Sequence, residues 1–486
     1  MPGTQTETPY VGSIGMEVHA ELLTESKMFC GCRNAFGGKP NTRCCPVCLG
    51  LPGSLPVANR LAVELVIRAA LALNCAISPI AKFDRKNYFY PDLPKGYQIS
   101  QYDQPIGSGG WLDIEPEAGP RRVRIRRVHL EEDTGKLMHL PTGESAVDYN
   151  RSGVPLMEIV TEFPPDMSSA DEARAYLVKL RAILTCIGVS DGKMEQGSLR
   201  CEPNISVRPA GSAAFGTKTE IKNLNSFRAV HRGVQHELAR QSALLRRGDR
   251  VAQETRGWNE ARGETVLQRV KEVEQEYRYF PEPDLRPLHI DDAWVASIRA
   301  SLPELPDTAR VRLVEQYGLS ATEADLLTQT AAWTAYFERA AGLCGNARAT
   351  ANWMMGELAR LLNAAGIEIE QCKAGPEALA ELLAMVESSK ISGKMAKGVW
   401  EAAFESGEAP AAIAARQGEQ ISDADALGAV LDSVIAAQPD VWSALCAGDE
   451  KKLTFMVGQI MKQTRGKANP GEVNRLLRDR MPGGAQ

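Results

Sequence analysis

The sequence predicts a mixed α+β fold with a largely antiparallel sheet, followed by an all-helical region. Before about residue 290, short alternating stretches, turns and glycines dominate the chain. After about Trp294, apolar residues recur at helical spacing almost throughout, with Pro or Gly between the runs. At 486 residues the chain is also too long for one ordinary hydrophobic core, so two to four domains are expected.

Strands are indicated by the alternation of polar and apolar residues. In residues 14–22, Glu17 and His19 fall on one face and apolar side chains on the other, which is the period-2 pattern of a half-buried strand. RRVRIRRVHL, residues 121–130, alternates in the same way. The glycine-rich GSGG at residues 107–110 is expected to form a hairpin turn.

Helices are predicted where apolar residues recur at helical spacing or capping residues open a run. In the first part of the chain they cover residues 59–73, 169–186 and 226–246.

The changes of texture predict three domains, with a second break near residues 407–410. Their expected bounds are 1–293, 294–408 and 409–486.

Composition is that of a folded protein, with 44% hydrophobic and 24% charged residues. The formal charge of −5 excludes a polybasic binder, so contacts with nucleic acid would use local patches. One such patch is residues 451–480, with eight Lys/Arg against two Asp/Glu. No stretch approaches the roughly 18 apolar residues of a membrane span. The opening MPGTQTETPY has no signal-like segment, so a cytoplasmic location is expected.

The 11 cysteines are unevenly distributed, and five lie between Cys30 and Cys48. Cys30-x-Cys32 and Cys45-x-x-Cys48 form two closely spaced pairs, which is how short loops deliver four thiolates to Zn²⁺. Cys44 could substitute for Cys45. Unrelated buried thiols are the alternative. A closed four-thiolate site has no open position for a substrate, so the expected zinc site is structural.

Acidic residues near the first strand suggest a second metal site. Glu17 and His19 share a strand face, although exposed strands often carry such residues for solubility. HLEEDTGK, residues 129–136, packs three acids together, and Glu158 interrupts an apolar run. A buried carboxylate must be paired, hydrogen-bonded or metal-bound. Three or four acids meeting in one concavity would bind a hard cation such as Mg²⁺, for which His19 would be an unusual ligand.

No Walker motif or kinase glycine-rich loop occurs, but two segments are dense in phosphate-binding chemistry. Residues 84–106 carry four tyrosines among the polar groups, which favours a pocket over a solvated basic loop. Residues 215–230 end at a predicted helix start, where anions bind readily. The candidate phosphate and nucleotide contacts are Arg85, Lys86, Asn87, Tyr88, Lys95 and Ser100 in the first segment, and Lys218, Glu220, Lys222, Asn223, Asn225, Ser226 and Arg228 in the second.

Several long segments resemble the B-subunit family of tRNA-dependent amidotransferases. They include GMEVHAEL, DRKNYFYPDLPKGYQISQ, KMEQGSLRCEPNISVRP and GQIMKQTRGKANP, and the resemblance runs from residue 14 to about residue 477. It implies a cradle-like N-terminal kinase domain and a YqeY-like helical tail that engages tRNA. The resemblance also implies that the metal-binding positions are Glu17, His19, Glu132 and Glu158, with zinc knuckles at Cys30, Cys32, Cys45 and Cys48.

The resemblance further implies the reaction and the partners. In this family the chain phosphorylates the side-chain carboxylate of Glu-tRNA(Gln) or Asp-tRNA(Asn) with ATP and Mg²⁺. Ammonia from an amidase A subunit then displaces phosphate, and a small C subunit completes a heterotrimer. Two alternatives stand beside this interpretation: a non-catalytic, zinc-containing RNA-binding adaptor, and an autonomous ATP-dependent amide ligase that takes free ammonia.

Overall fold

A computed structural model describes residues 9–270, 277–417, 424–464, 468 and 470–481. The chain divides into two compact units, the first ending at Leu305 and the second beginning at Pro306. Among the described residues, no helix has the length and apolar character needed to cross a membrane.

A nine-stranded sheet forms the centre of the first unit, in the order β14-β13-β12-β11-β1-β10-β7-β6-β2. All of its strand pairs are antiparallel except β12 with β13, which confirms the predicted fold class. Its strands are β1 (Tyr10–Glu21), β2 (Ala76–Ile77), β6 (Gly107–Ile114), β7 (Arg121–Glu132), β10 (Pro155–Thr161), β11 (Leu199–Pro209), β12 (Thr219–Lys222), β13 (Glu254–Asn259) and β14 (Glu264–Val270).

Three smaller sheets accompany the large one, in the orders β15-β4-β5, β16-β3 and β8-β9. Their strands are β3 (Ile80–Ala81), β4 (Asp84–Asn87), β5 (Tyr97–Ser100), β8 (Lys136–His139), β9 (Ser145–Asp148), β15 (Phe280–Pro281) and β16 (Leu288–His289).

The described part of this unit contains the helices α1 (Arg60–Ala72), α2 (Ala170–Cys186), α3 (Phe227–Arg246) and α4 (Asp292–Ala300), with a 3₁₀ turn at Met194–Gln196. The helices α1, α2 and α3 begin where the sequence predicted. Their N-cap residues are Asn59, Ser169 and Ser226, whose side chains accept hydrogen bonds from backbone N–H groups of the first turn. Buried apolar residues of α1 to α4 join those of the large sheet in one core.

The GSGG segment is not the predicted hairpin turn, because it opens strand β6. Two of its three glycines, Gly107 and Gly110, are needed for packing. A Cβ on Gly110 would lie 2.4 Å from the Cys75 Sγ and from the Leu73 carbonyl oxygen, and one on Gly107 would lie 2.7 Å from the Ala70 Cβ. Glycine inside a strand often marks such a close approach.

The second unit is helical in its described part, as predicted. One hydrophobic core lies within residues 313–414 and another within residues 427–477. The helices are α5 (Pro306–Tyr317), α6 (Ala321–Leu327), α7 (Ala331–Cys344), α8 (Ala347–Trp353), α9 (Ala359–Ala365), α10 (Pro376–Glu387), α11 (Gly393–Ser406), α12 (Pro410–Gln417), α13 (Ala424–Ala437), α14 (Pro439–Cys446), α15 (Lys451–Gln463) and α16 (Pro470–Arg480). A π-helical turn, Met354–Leu358, joins α8 to α9, and a 3₁₀ turn spans Ile369–Gln371. Residues 465–467 and 469 of the predicted basic tail lie outside the described residues.

Candidate active site

A cavity of about 980 Å³ lies over the polar face of the large sheet. Neighbouring strands β7, β10, β1, β11 and β12 each contribute side chains to its wall. The alternation of β1 makes this possible: Met16, Val18 and Ala20 are buried in the core, while Glu17 and His19 line the cavity.

His19, Glu131 and Glu158 converge on one point in this cavity. The Nε2 atom of His19 lies 3.6 Å from Glu131 and 3.7 Å from Glu158. One ligand atom from each of the three residues lies within 4.8 Å of the others, an arrangement that could hold a metal ion. Strand register explains the arrangement, because His19 is the cross-strand partner of Glu158 on β10 and Glu158 is the partner of His129 on β7.

His129 is buried beside this group and contacts both of its carboxylates. It was not among the predicted residues. Its Nε2 atom lies 3.1 Å from Glu158 and 3.6 Å from Glu131. Burial would raise the pKa of Glu158, but the charges of His129 and His19 lower it well below the usual value. Burial would likewise raise the pKa of Glu131, whereas the hydrogen bond from His129 lowers it. Both carboxylates are therefore held in the charged form that binds cations.

Glu132 does not join this group, contrary to the expected ligand set. Its side chain points to the opposite face of β7, where it pairs with Lys95 at 2.7 Å and accepts a hydrogen bond from the Ile99 amide. Both residues line a separate cavity of about 230 Å³ beside Cys48. Adjacent strand residues face opposite sides, so Glu131 and Glu132 cannot share one site.

Glu17 lines the cavity but is not one of the three residues whose ligand atoms converge, and its charged neighbours include Glu202 and Glu220 as well as Glu158. Burial is the main cause that raises the pKa of Glu17, and the neighbouring charge of Glu158 adds to it. Asn204 donates to Glu17 at 3.1 Å. The Lys222 ammonium lies 3.0 Å from Glu202 and 3.1 Å from Glu220, so a cation from the chain itself balances this region.

The remaining phosphate-segment candidates fall into two sets. Lys86, Tyr88, Lys218, Glu220 and Lys222 line the large cavity. The others do not line it: Asn87 donates to the Arg278 carbonyl, Ser100 donates to Glu131 at 3.0 Å, Ser226 caps α3, Lys95 pairs with Glu132, Arg85 pairs with Glu282, and Asn223, Asn225 and Arg228 are exposed.

Three arginines of the cavity wall, Arg127, Arg200 and Arg269, were not predicted. Lys86 lies 4.9 Å from the centre of the Tyr277 ring, and Tyr279 also lines the wall. Together with Lys218 and Lys222, these groups give the cavity six cationic side chains. Arg200 already pairs with Asp133, and Lys222 pairs with Glu202 and Glu220, so Lys86, Arg127, Lys218 and Arg269 are better placed to face phosphate or carboxylate. Arg200 lies on β11, whose alternation could have indicated its facing, whereas Arg127 lies at an irregularity of β7 that the sequence pattern does not show.

The cysteine pairs converge in a second, separate group. The Sγ atoms of Cys30, Cys32, Cys45 and Cys48 lie within 4.8 Å of one another. Cys44 instead has its Sγ 4.0 Å from the Asn150 amide oxygen. The hydrogen bond from Cys30 lowers the pKa of Cys48 to about 4, so at least one thiolate is available. Four converging thiols fit a tetrahedral soft cation such as Zn²⁺.

Comparison with known proteins shows the family to which the chain belongs. Residues 12–296 match the family model described as the GatB/GatE catalytic domain, and residues 335–481 match the GatB domain model. The chain belongs to the GatB family. The predicted family is thereby confirmed, and so is its class as an amidotransferase enzyme.

Relatives across the GatB family match almost end to end. The chain is 54% identical to the B subunit of the aspartyl/glutamyl-tRNA(Asn/Gln) amidotransferase of Moorella thermoacetica, over 97% of this chain and 100% of the relative. It is 53% identical to the protein of that name in Carboxydothermus hydrogenoformans, over 97% and 99%. The one in Brevibacillus brevis is 49% identical, over 97% and 98%.

Proposed function

We propose that this GatB-family chain activates the side-chain carboxylate of a misacylated tRNA by phosphorylation with ATP. The substrates are Glu-tRNA(Gln), Asp-tRNA(Asn) or both. The observation that carries the proposal is the convergence of His19, Glu131 and Glu158 inside a cavity whose wall also carries Lys86, Arg127 and Lys218. Anionic ligands close to cationic side chains suit a metal-bound, multiply charged phosphate.

The chemistry requires activation before amidation. A carboxylate oxygen attacks the γ-phosphorus of ATP, the new O–P bond forms, and ADP leaves. Ammonia then attacks the acyl carbon, the C–O bond to phosphate breaks, and ammonia's extra proton is lost as the amide forms. No Ser or Cys nucleophile is needed on this chain. Its task is to position the two reactants and neutralise their charge.

The chain's own residues divide this task. Glu131 and Glu158 would hold Mg²⁺ through oxygen atoms, with His19 beside them, and bound Mg²⁺ would neutralise phosphate charge. His129 and Ser100 fix the two carboxylates from behind. Lys86 and Arg127 enter the same cavity and are suited to phosphate or substrate carboxylate. The four cysteines would hold a structural Zn²⁺ outside this cavity.

The proposed assembly includes other subunits, because this chain is assigned carboxylate activation and not the release of ammonia. Ammonia must be supplied by glutamine hydrolysis, so we assign it to an amidase A subunit, with a small C subunit completing a cytoplasmic heterotrimer. The YqeY-like tail is assigned to the body of tRNA(Gln) or tRNA(Asn). The names of the relatives, which describe one component of an amidotransferase acting on these tRNAs, support this assembly.

An isotope experiment tests the proposal. Glu-tRNA(Gln) carrying ¹⁸O in the side-chain carboxylate is incubated with the complex, ATP and glutamine, and the released phosphate is analysed by mass spectrometry. Activation predicts one ¹⁸O atom in each phosphate. A non-catalytic adaptor would transfer none, and an autonomous ligase would form amide from free ammonium equally well without the amidase subunit.

A further inference from the structure

A second cavity of about 650 Å³ adjoins the active-site cavity. Arg127 lines both cavities. Tyr102 lines the second cavity and Tyr279 the first, and their rings stack with centroids 4.3 Å apart and planes 13° apart. We call the second cavity the Tyr102 cavity. Its wall also contains Gln104, Ser108 and Arg126.

A β-bulge directs two consecutive arginines into the Tyr102 cavity. Val160 of β10 pairs with Arg127, but the next residue, Thr161, pairs with Ile125, so Arg126 is the extra residue on β7. Consecutive strand residues normally face opposite sides, whereas a bulge turns two neighbours toward one side. Both Arg126 and Arg127 therefore reach the same space.

The arginines of the Tyr102 cavity differ from their neighbours on β7 in their hydrogen-bond and ion-pair partners. Arg122 forms a bidentate pair with Asp113 at 2.7 and 2.8 Å, and Arg124 pairs with Asp166. Among the described residues, Arg126 has no carboxylate partner and the buried Nε of Arg127 has no hydrogen-bond acceptor. The wall contains one acid, Asp103, against the two arginines, and it pairs with Lys82 at 2.6 Å, a lysine that also pairs with Asp84. The cavity is thus cationic, with a half-exposed aromatic ring.

We propose that the Tyr102 cavity binds the single-stranded 3′ end of tRNA, at the nucleotides that precede the aminoacylated one. The proposal rests on the proposed function, because the reacting carboxylate is carried by the last nucleotide and must reach the active-site cavity. The nucleotides that precede it then lie just outside the active-site cavity. We place them in the Tyr102 cavity, because Arg127 and the stacked tyrosines connect the two cavities. Proteins bind unpaired RNA through aromatic stacking and Arg contacts to phosphate, and this cavity offers both.

Binding measurements with trimmed tRNA test this site without relying on turnover. The full chain in its complex is titrated with tRNA lacking only the terminal nucleotide and with tRNA lacking the last three. The wild type should lose about tenfold in affinity between the two, as expected for losing a stacked base. Arg126→Gln and, separately, Tyr102→Ala should reduce that difference to within about twofold. Arg122→Gln, on the same strand but outside the cavity, should keep it.

The outcomes separate this site from the proposed function. Equal wild-type affinity for the two trimmed tRNAs, or a full tenfold difference in the Arg126→Gln variant, would overturn the site while leaving the function intact. Absence of any tRNA binding would overturn both. Tyr102→Phe, which keeps the stacked ring, should behave as the wild type and shows whether loss in Tyr102→Ala reflects the ring itself.

Discussion

Glu131 and Glu132 are consecutive in the chain but lie in different environments. Glu131 meets two imidazoles and Ser100 in the active-site cavity, whereas Glu132 meets the Lys95 ammonium on the other side of the strand. The segment HLEEDTGK was predicted to contribute acids to a metal site, and the glutamate that it brings to the converging group is Glu131, whereas the resemblance implied Glu132. At the scale of a single residue, what decides the role of each carboxylate is the face of the strand on which it lies.

The thiol group supports a prediction about two adjacent cysteines. Cys45→Ser should reduce bound zinc from one per chain to well below one half, because its Sγ belongs to the converging set. Cys44→Ser should retain full occupancy, since its Sγ is turned toward Asn150. Metal analysis of the purified variants measures this. Equal zinc loss in both would mean that Cys44 is also a ligand.

The bulge in β7 determines which of the two glutamates faces the cavity. Before the bulge Val123 and Ile125 face the core, and after it Val128 and Leu130 do, so the inward positions change from odd to even. One extra residue inverts every later side chain on the strand. Nothing in RRVRIRRVHL shows where that residue lies. The uninterrupted alternation of β1, in contrast, allowed the facing of Glu17 and His19 to be predicted.

A buried ionic network holds the β13–β14 hairpin against α3. Glu237 is fully buried and accepts from Arg240 at 2.6 Å and from the Thr265 hydroxyl at 3.0 Å. Glu237→Ala should destabilise the first unit by about 3 kcal/mol, because Arg240 and Arg256 would lose a buried counter-charge. Chemical denaturation of the full chain measures the change.

The matched control for this network is Arg262→Ala, which removes an exposed pair with Glu264 in the same hairpin. A surface pair contributes at most about 1 kcal/mol, so this variant should unfold almost as the wild type does. If the two variants proved equally stable, the network would not be what holds the hairpin.

At the scale of the whole molecule, helical texture and capping residues were enough to predict the all-α second unit, because local periodicity needs no knowledge of distant partners. The candidate active site could be predicted only in part. It joins residues from β1, β7, β10, β11 and β12, which span residues 17 to 222, and pairing between distant strands is not written in any one segment.

The C-terminal region, residues 409–486, contains the basic patch at residues 451–480 and is expected to contribute to tRNA binding but not to zinc binding. Removing residues 409–486 should weaken tRNA binding by more than tenfold and reduce its salt dependence, because phosphate contacts release counterions. Zinc content should not change, since all four thiols lie in the first unit. Filter binding at several salt concentrations measures the effect. Unchanged affinity and salt slope would remove the tail from tRNA recognition.

The two neighbouring glutamates offer the most direct test of where carboxylate activation takes place. ATP cleavage dependent on Glu-tRNA(Gln) is measured without glutamine for the wild-type complex, Glu131→Gln and Glu132→Gln, with tRNA affinity measured alongside. We expect Glu131→Gln to lose at least a hundredfold in cleavage while binding tRNA normally, and Glu132→Gln to keep cleavage within a few-fold of wild type. Normal cleavage in Glu131→Gln, or a selective loss in Glu132→Gln, would contradict the assignment of carboxylate activation to the cavity of His19, Glu131 and Glu158.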